Sequence, residues 1–184
     1  MALDWTILNG IQEIFKCDFM DMIMPRLTAL GDAGIIWIVI GVCMLISKKY
    51  RKTGLLVLTG LLMGLIIGNG IVKNLVARQR PCWLNPEFSL LIPNPSDFSF
   101  PSGHTQASCI AATVITMKHR KMGWVVIPLA AVIAFSRLYL YVHFPSDVLG
   151  GAVMGVAIGI ATVMVAKNIS KRFALHKETA IKNE

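Results

Sequence analysis

The stretch from Gly54 to Val72 contains no charged residue and is long enough to cross the hydrocarbon core of a bilayer as a helix. That run excludes most folds, because backbone in lipid must satisfy its own hydrogen bonds, and only helices and closed barrels do so. Further apolar runs accompany it, giving five expected spans: Ala33–Ile46, Gly54–Val76, His104–Met117, Trp124–Tyr141 and Asp147–Ala166. With 55% hydrophobic and 15% charged residues and a mean hydropathy of +0.63, the chain is too apolar for an ordinary water-soluble globule. The fold class is all-α, an integral-membrane helical bundle of about five to six transmembrane helices. The first and third runs are short for a bilayer, so they are expected to borrow apolar length or lean on their neighbours. A sixth crossing would come from the N-terminal segments.

Those segments read differently from the spans. Leu3, Ile7, Ile11 and Ile14 recur at helical spacing, with Asp4, Gln12, Glu13 and Lys16 elsewhere around the wheel and Trp5 near the start. This pattern predicts a helix lying in the headgroup plane. Asp4 stands where a secretory leader would be basic, so no cleavable signal peptide is expected. Asp18 to Leu30 is short, Met-rich and interrupted by Pro25 and Arg26, and Gly31-Asp32 is expected to break the chain with Asp32 capping the next helix. The chain is expected to form one domain: residues 1–30 as N-terminal helices, 31–166 as the transmembrane bundle and 167–184 as a basic tail.

The net charge of +8 is informative through its placement. Lys48, Lys49, Arg51 and Lys52 fill one loop, Lys118, Arg120 and Lys121 another, and Lys167, Lys171, Arg172, Lys177 and Lys182 the tail. In the five-span arrangement these twelve of the 18 basic residues fall on one side, which the positive-inside rule makes cytoplasmic. The charge therefore points to topology and not to a nucleic-acid partner. Four cysteines, Cys17, Cys43, Cys82 and Cys109, show no paired metal-ligand spacing. Cys43 and Cys109 read as small apolar helix residues, and a Cys17–Cys82 disulfide requires both to face an oxidising side.

Two glycine ladders, Gly60-Gly64-Gly68 and Gly151-Gly155-Gly159, allow close helix approach in the second and fifth spans. Each ends near a polar stretch on the extracytoplasmic side. Lys73, Ala77 and Arg80 have the i, i+4, i+7 spacing of one helical face, which aims two cations at one place. Arg78 turns about 140° from Lys73 on that wheel; leaning over the rim instead, it would be a spare cation for a further anionic group. Pro101-Ser102-Gly103-His104 opens the third span, where Ser102 can cap the helix, Gly103 permits close approach and the helix start favours an anion. In Ser136 to Asp147, Arg137 offers a phosphate-binding fork and Pro145 suits a helix start. Asp147, one turn from His143, can hold one ring nitrogen protonated and leave the other free. The loop Cys82 to Phe100 is long, proline-broken and rich in Trp83, Phe88, Leu90 and Ile92, fitting a plug over the bundle and a lip for a lipid chain. Glu87 and Asp97 in it show no evident ligand partners.

Taken together, Lys73-x6-Arg80-Pro81, Pro101-Ser102-Gly103-His104 and Ser136-Arg137-x5-His143-x3-Asp147 resemble the three motifs of the type-2 phosphatidic acid phosphatase family, intact and in order over residues 73 to 147. The resemblance implies a membrane lipid phosphatase. His143 would be the nucleophile forming a phosphohistidine, Asp147 would orient it, and His104 would protonate the leaving oxygen and then activate water. Lys73, Arg80, Ser102, Gly103 and Arg137 would hold the phosphoryl oxygens. It implies no cofactor and no metal, a phosphorylated membrane lipid and the bilayer as partners, and an extracytoplasmic site. The implied substrates are phosphatidic acid or phosphatidylglycerol phosphate, with undecaprenyl pyrophosphate as the alternative. A vanadium haloperoxidase shares only the anion site, and five apolar spans argue against it. A non-catalytic headgroup-binding protein would need cations but not two histidines with Asp147.

Overall fold

Small residues decide the centre of the bundle. Ala107, Ser108, Ala111 and Ala112 let other helices close in on α7 (Gly103–Lys118), which packs against four neighbours. The computed structural model describes residues 1–182, with side chains through residue 172. Around α7 stand α3 (Ile35–Ile46), α4 (Arg51–Gly64), α8 (Gly123–Tyr139) and α9 (Pro145–Lys182), with α1 (Ala2–Phe15) and α2 (Asp18–Ala29) packed on α8. No strand occurs among the described residues.

Arg51–Leu84, Arg120–Tyr139 and Pro145–Arg172 are each long and apolar enough to cross a membrane. The pair Asp18–Ala29 and Asp32–Ile46, bent by 45°, makes a fourth. Thus the short first run gains its length from α2, which is the form the N-terminal contribution takes. The 16-residue α7 is too short alone and leans on the helices around it. The outer faces are apolar: Leu55, Leu62, Val125, Leu149, Val153 and Val165 are exposed, as residues facing hydrocarbon must be. Inside, Trp37 is wholly buried and donates Nε1–H to Ser108 Oγ at 2.8 Å, within a cluster holding Val57, Ala111, Val114 and Ile133.

The glycine ladders do not meet each other. Both face α7: Cβ atoms at Gly60 and Gly64 would strike Ile110, and one at Gly155 would lie 2.7 Å from Cys109 Cβ. Helix α4 continues through the π-helical stretch Leu65–Val72 into α5 (Lys73–Val76) and stops at Ala77, whose φ of 46° is left-handed. Arg80 then caps the short α6 (Pro81–Leu84). The expected single helical face from Lys73 to Arg80 is therefore replaced by a helix end and a turn. The loop behind it packs Trp83, Leu90 and Ile92 on Met24, Tyr139 and Val142, while Phe88 stacks on Tyr141 at 3.9 Å.

Helix α1 has the expected helical character but a definite inner face. Leu8 is buried, Gln12 Nε2–H donates to Tyr139 O at 2.7 Å, and Trp5 meets Phe144 edge-on at 4.9 Å. Leu3, Ile7 and Ile14 point outward. At the opposite end, Thr53 Oγ1 and His119 Nε2 lie 2.9 Å apart, bringing the Lys48–Lys52 and Lys118–Lys121 loops together. Helix α9 passes unbroken through the boundary expected at residue 166; Lys177 and Lys182 of the expected tail lie outside the residues whose side chains are described. Cys17 is exposed and Cys82 buried, both unpaired.

Candidate active site

The turn from α8 into α9 sets the reactive group. Tyr141, at a left-handed φ of 60°, turns the chain after α8, and Pro145 opens α9, leaving His143 between them and 1% exposed. Asp147 lies in the first turn of α9, where Oδ2 accepts the Phe144 N–H at 2.8 Å. That carboxylate stands 3.7 Å from His143 Nδ1, beyond hydrogen-bond length. Ser99 bridges the gap: its Oγ–H donates to Asp147 Oδ2 and its Oγ lies 3.4 Å from His143 Nδ1. On the other side of the ring, Arg80 Nη1 lies 3.1 Å from Nε2. A guanidinium can only donate, so Nε2 must present its lone pair and the ring proton belongs on Nδ1. Burial holds the His143 pKa down to about 3 against the pull of Asp147, with Arg80 and Arg137 pushing it the same way as burial. The imidazole is neutral, with its Nε2 lone pair toward the cations and held by Arg80.

Lys73 and Arg80 do converge, by the Ala77 turn and not by a helical face. Arg80 is 2% exposed and donates Nη1–H to Val142 O at 2.7 Å and Nε–H to Asp97 O at 2.7 Å. Arg137, on α8, donates Nη1–H to the buried Thr28 Oγ1 at 2.6 Å, and its Nε has no partner among the described residues. At the start of α7, Ser102 occupies the N-cap position without a side-chain cap bond; its N–H donates to Asp147 O at 3.1 Å, and its Oγ accepts from Thr105 Oγ1 at 3.1 Å. Gly103 follows it on the cavity wall. His104 Nε2 lies 2.8 Å from Asp32 Oδ1, so Asp32 serves this histidine instead of capping a helix. Its Nδ1 carries no hydrogen bond among the described residues.

A cavity of about 990 Å³ joins these groups. Lys73, Arg80, Gly103, His104, Arg137 and His143 line its polar end, while Ile38, Leu58, Leu61 and Leu62 line an apolar flank along α3 and α4. Ile92, Pro93 and Pro95 form part of the rim, so the long loop is both plug and lip. Ser102 and Asp147 back the wall and are fully buried. Among the described residues no three His, Cys, Asp or Glu side chains gather as a metal site.

Besides Asp32, three partners were not legible in the sequence. Asp97 bonds both Lys73 and Arg80; burial raises its pKa, but these two cations outweigh that and hold it at about 2. Ser99 has only its nearness to Pro101 as a signal. Arg78 is no spare cation at the rim: Nη1 donates to Asp147 Oδ1 and Ser146 Oγ, each at 2.6 Å, and Nη2 to Asp4 Oδ2 at 2.7 Å. Because the helix ends at Val76, the wheel that turned Arg78 away from Lys73 does not exist there, and the side chain reaches the far side of Asp147.

The profile of the PAP2 superfamily matches residues 53–171. An undecaprenyl-diphosphatase of Sulfolobus acidocaldarius is 32% identical over 132 residues, 71% of this chain and 63% of that protein. A phosphatidylglycerophosphatase B of Bacillus subtilis is 33% identical over 159 residues, 79% of this chain and 74% of that one. The crystal structure of a transmembrane PAP2-type phosphatidylglycerolphosphate phosphatase from Bacillus subtilis superposes with a TM-score of 0.73 at 28% identity, covering 91% of this chain and 86% of that one.

Proposed function

The chain belongs to the PAP2 superfamily, and from that premise we propose that it is a multi-pass membrane lipid phosphatase acting on a phosphomonoester of the phosphatidic acid or phosphatidylglycerol phosphate type. One observation carries the reading: a single cavity joins a cluster of three cations and two histidines to an apolar flank on α3 and α4. The charged end suits a phosphoryl group and the flank suits a hydrocarbon chain. Undecaprenyl pyrophosphate is the second reading, supported by the Sulfolobus relative.

In the proposed reaction, Lys73, Arg80 and Arg137, with the Ser102 hydroxyl and the Gly103 N–H, hold the phosphoryl oxygens. The Nε2 lone pair of His143 attacks phosphorus as the bond to the lipid oxygen breaks, and Asp147, through Ser99, supports the charge that develops on the ring. His104, paired with Asp32, gives its proton to the departing oxygen. It then takes a proton from water as that water attacks the phosphohistidine; the P–N bond breaks, phosphate leaves and His143 returns neutral. The scheme uses only groups of the chain itself, so turnover is expected to survive chelation. The basic loops at the other end of the bundle support a site on the extracytoplasmic side, with α9 ending in the cytoplasm.

Purified protein tests this by phosphate release from phosphatidic acid, phosphatidylglycerol phosphate and undecaprenyl pyrophosphate in one detergent. His143→Ala is expected to abolish turnover and any phosphoenzyme, while His104→Ala slows both half-reactions and allows a trace of trapped phosphoenzyme with a good leaving group. Undiminished turnover in His143→Ala sinks the mechanism, and the ratio of wild-type rates decides between monophosphate and diphosphate.

A further inference from the structure

The Asp97 side chain is 55% exposed, yet its carboxylate engages two of the most buried cations in the molecule. Oδ2 accepts from Lys73 Nζ, and Oδ1 accepts from Arg80 Nη2 at 2.6 Å. Lys73 is 5% exposed and Arg80 2%. Both cations line the cavity beside His143, so the carboxylate takes donors that two phosphoryl oxygens would need. The backbone is fastened separately: Asp97 O and Phe98 O accept from Arg80, and Ser99 N–H donates to Arg78 O at 2.8 Å. The carboxylate can therefore swing into solvent by side-chain rotation while the loop stays in place.

We propose that Asp97 is a tethered anion that exchanges with the phosphoryl group on Lys73 and Arg80, so that phosphate is bound weakly enough to leave after each turnover. The inference rests on the phosphatase reading above. A pocket with three cations holds inorganic phosphate by the same contacts that hold the substrate's phosphoryl group. Without a competitor, the product would block the site. A resident carboxylate lowers the apparent affinity of every phosphate by the fraction of time the cations are free. Weakening substrate and product alike raises KM without lowering kcat, because uniform binding contributes nothing to the chemical step. The cations hold Asp97 ionised, with a pKa of about 2, so it competes at any working pH.

The test uses the full chain in detergent, comparing wild type with Asp97→Asn and Asp97→Ala. Binding of inorganic phosphate is read by calorimetry, and KM and kcat by phosphate release. Removing the carboxylate is expected to tighten phosphate binding about tenfold, the scale of one charge-assisted hydrogen bond. KM should fall in parallel while kcat stays level or drops as release becomes limiting. Unchanged or weaker phosphate binding in both variants overturns the proposal, because Asp97 would then only orient the cations. Failure of both variants to fold even in phosphate also overturns it, since phosphate should replace the lost charge. Calorimetry needs no turnover, so the two readings fail separately: a protein whose Asp97 variants bind phosphate more tightly but which releases none from any lipid refutes the phosphatase reading, and with it the role in product release, while the exchange of anions on Lys73 and Arg80 stands.

Discussion

His143 owes its state to the groups on either side of its ring. Arg80 claims the Nε2 lone pair at 3.1 Å, and Ser99 joins Nδ1 to Asp147. The residues that the fold gathers at the proposed site were legible in the motifs, but not the geometry that gathers them: Lys73 and Arg80 converge through the Ala77 turn, and Asp147 reaches His143 through Ser99. The supporting shell was not legible, because Asp32, Ser99 and Asp97 reach their partners across the fold and not along the chain. Arg78 illustrates the limit: an angle on a helical wheel cannot survive the end of the helix. Its position now argues for support of Asp147. Arg78→Ala and Ser99→Ala are each expected to lower kcat about tenfold or more, by loosening the carboxylate behind the nucleophile, with KM little changed. The loss from Arg78→Ala should be equal on phosphatidic acid and undecaprenyl pyrophosphate. A loss confined to the diphosphate, measured at subsaturating substrate in one detergent, would return Arg78 to the pocket rim.

Helix α7 is the element on which both glycine ladders converge. The repeats were legible as sites of close approach, but a row of glycines encodes how near a helix comes and not which helix comes. The same holds for the segment after α4, where helix propensity extends the wheel through Ala77 and the structure ends it there with a left-handed residue. The ladder argument has a measurable consequence. At Gly155 an added Cβ would meet Gln106 O and lie 2.7 Å from Cys109 Cβ, so a backbone must move. Gly155→Ala is expected to cost about 1–3 kcal/mol, the range for overpacking. Gly10, within α1, has nothing within 4 Å of such an atom. Gly10→Ala is expected to stabilise by roughly 0.5–1 kcal/mol through helix propensity alone. Unfolding midpoints in detergent check the pair, and a Gly155→Ala protein as stable as wild type would remove close α7–α9 packing as the reason for the ladder.

At the scale of the molecule, the two ends differ in charge and in chemistry. The loops carrying Lys48, Lys49, Lys118 and Lys121 are drawn together by the Thr53–His119 contact, and the cavity with His143 lies at the other end, between the end of α2 and the loop of Ile92 to Asp97. Helix α1 turns Asp4 and Gln12 toward the protein and Leu3, Ile7 and Ile14 away from it, an arrangement suited to the level where headgroups meet hydrocarbon. If the basic end is cytoplasmic, α1, the rim loop and the cavity all belong to the outer face. The native thiols can report this, though not all of them. Cys82 lies close to the site but is buried, hydrogen-bonded to Asn94 Oδ1 at 3.5 Å, and should stay unlabelled in the folded protein. Cys17, between α1 and α2, is exposed at the site end. A membrane-impermeant maleimide added to intact cells is expected to modify Cys17, and Cys17→Ser should abolish most of that labelling. A reporter fused within Lys118–Lys121 should read as cytoplasmic. Labelling of Cys17 only after the membrane is permeabilised, with an external signal from the fusion, would invert the molecule and move the proposed hydrolysis to the inner leaflet.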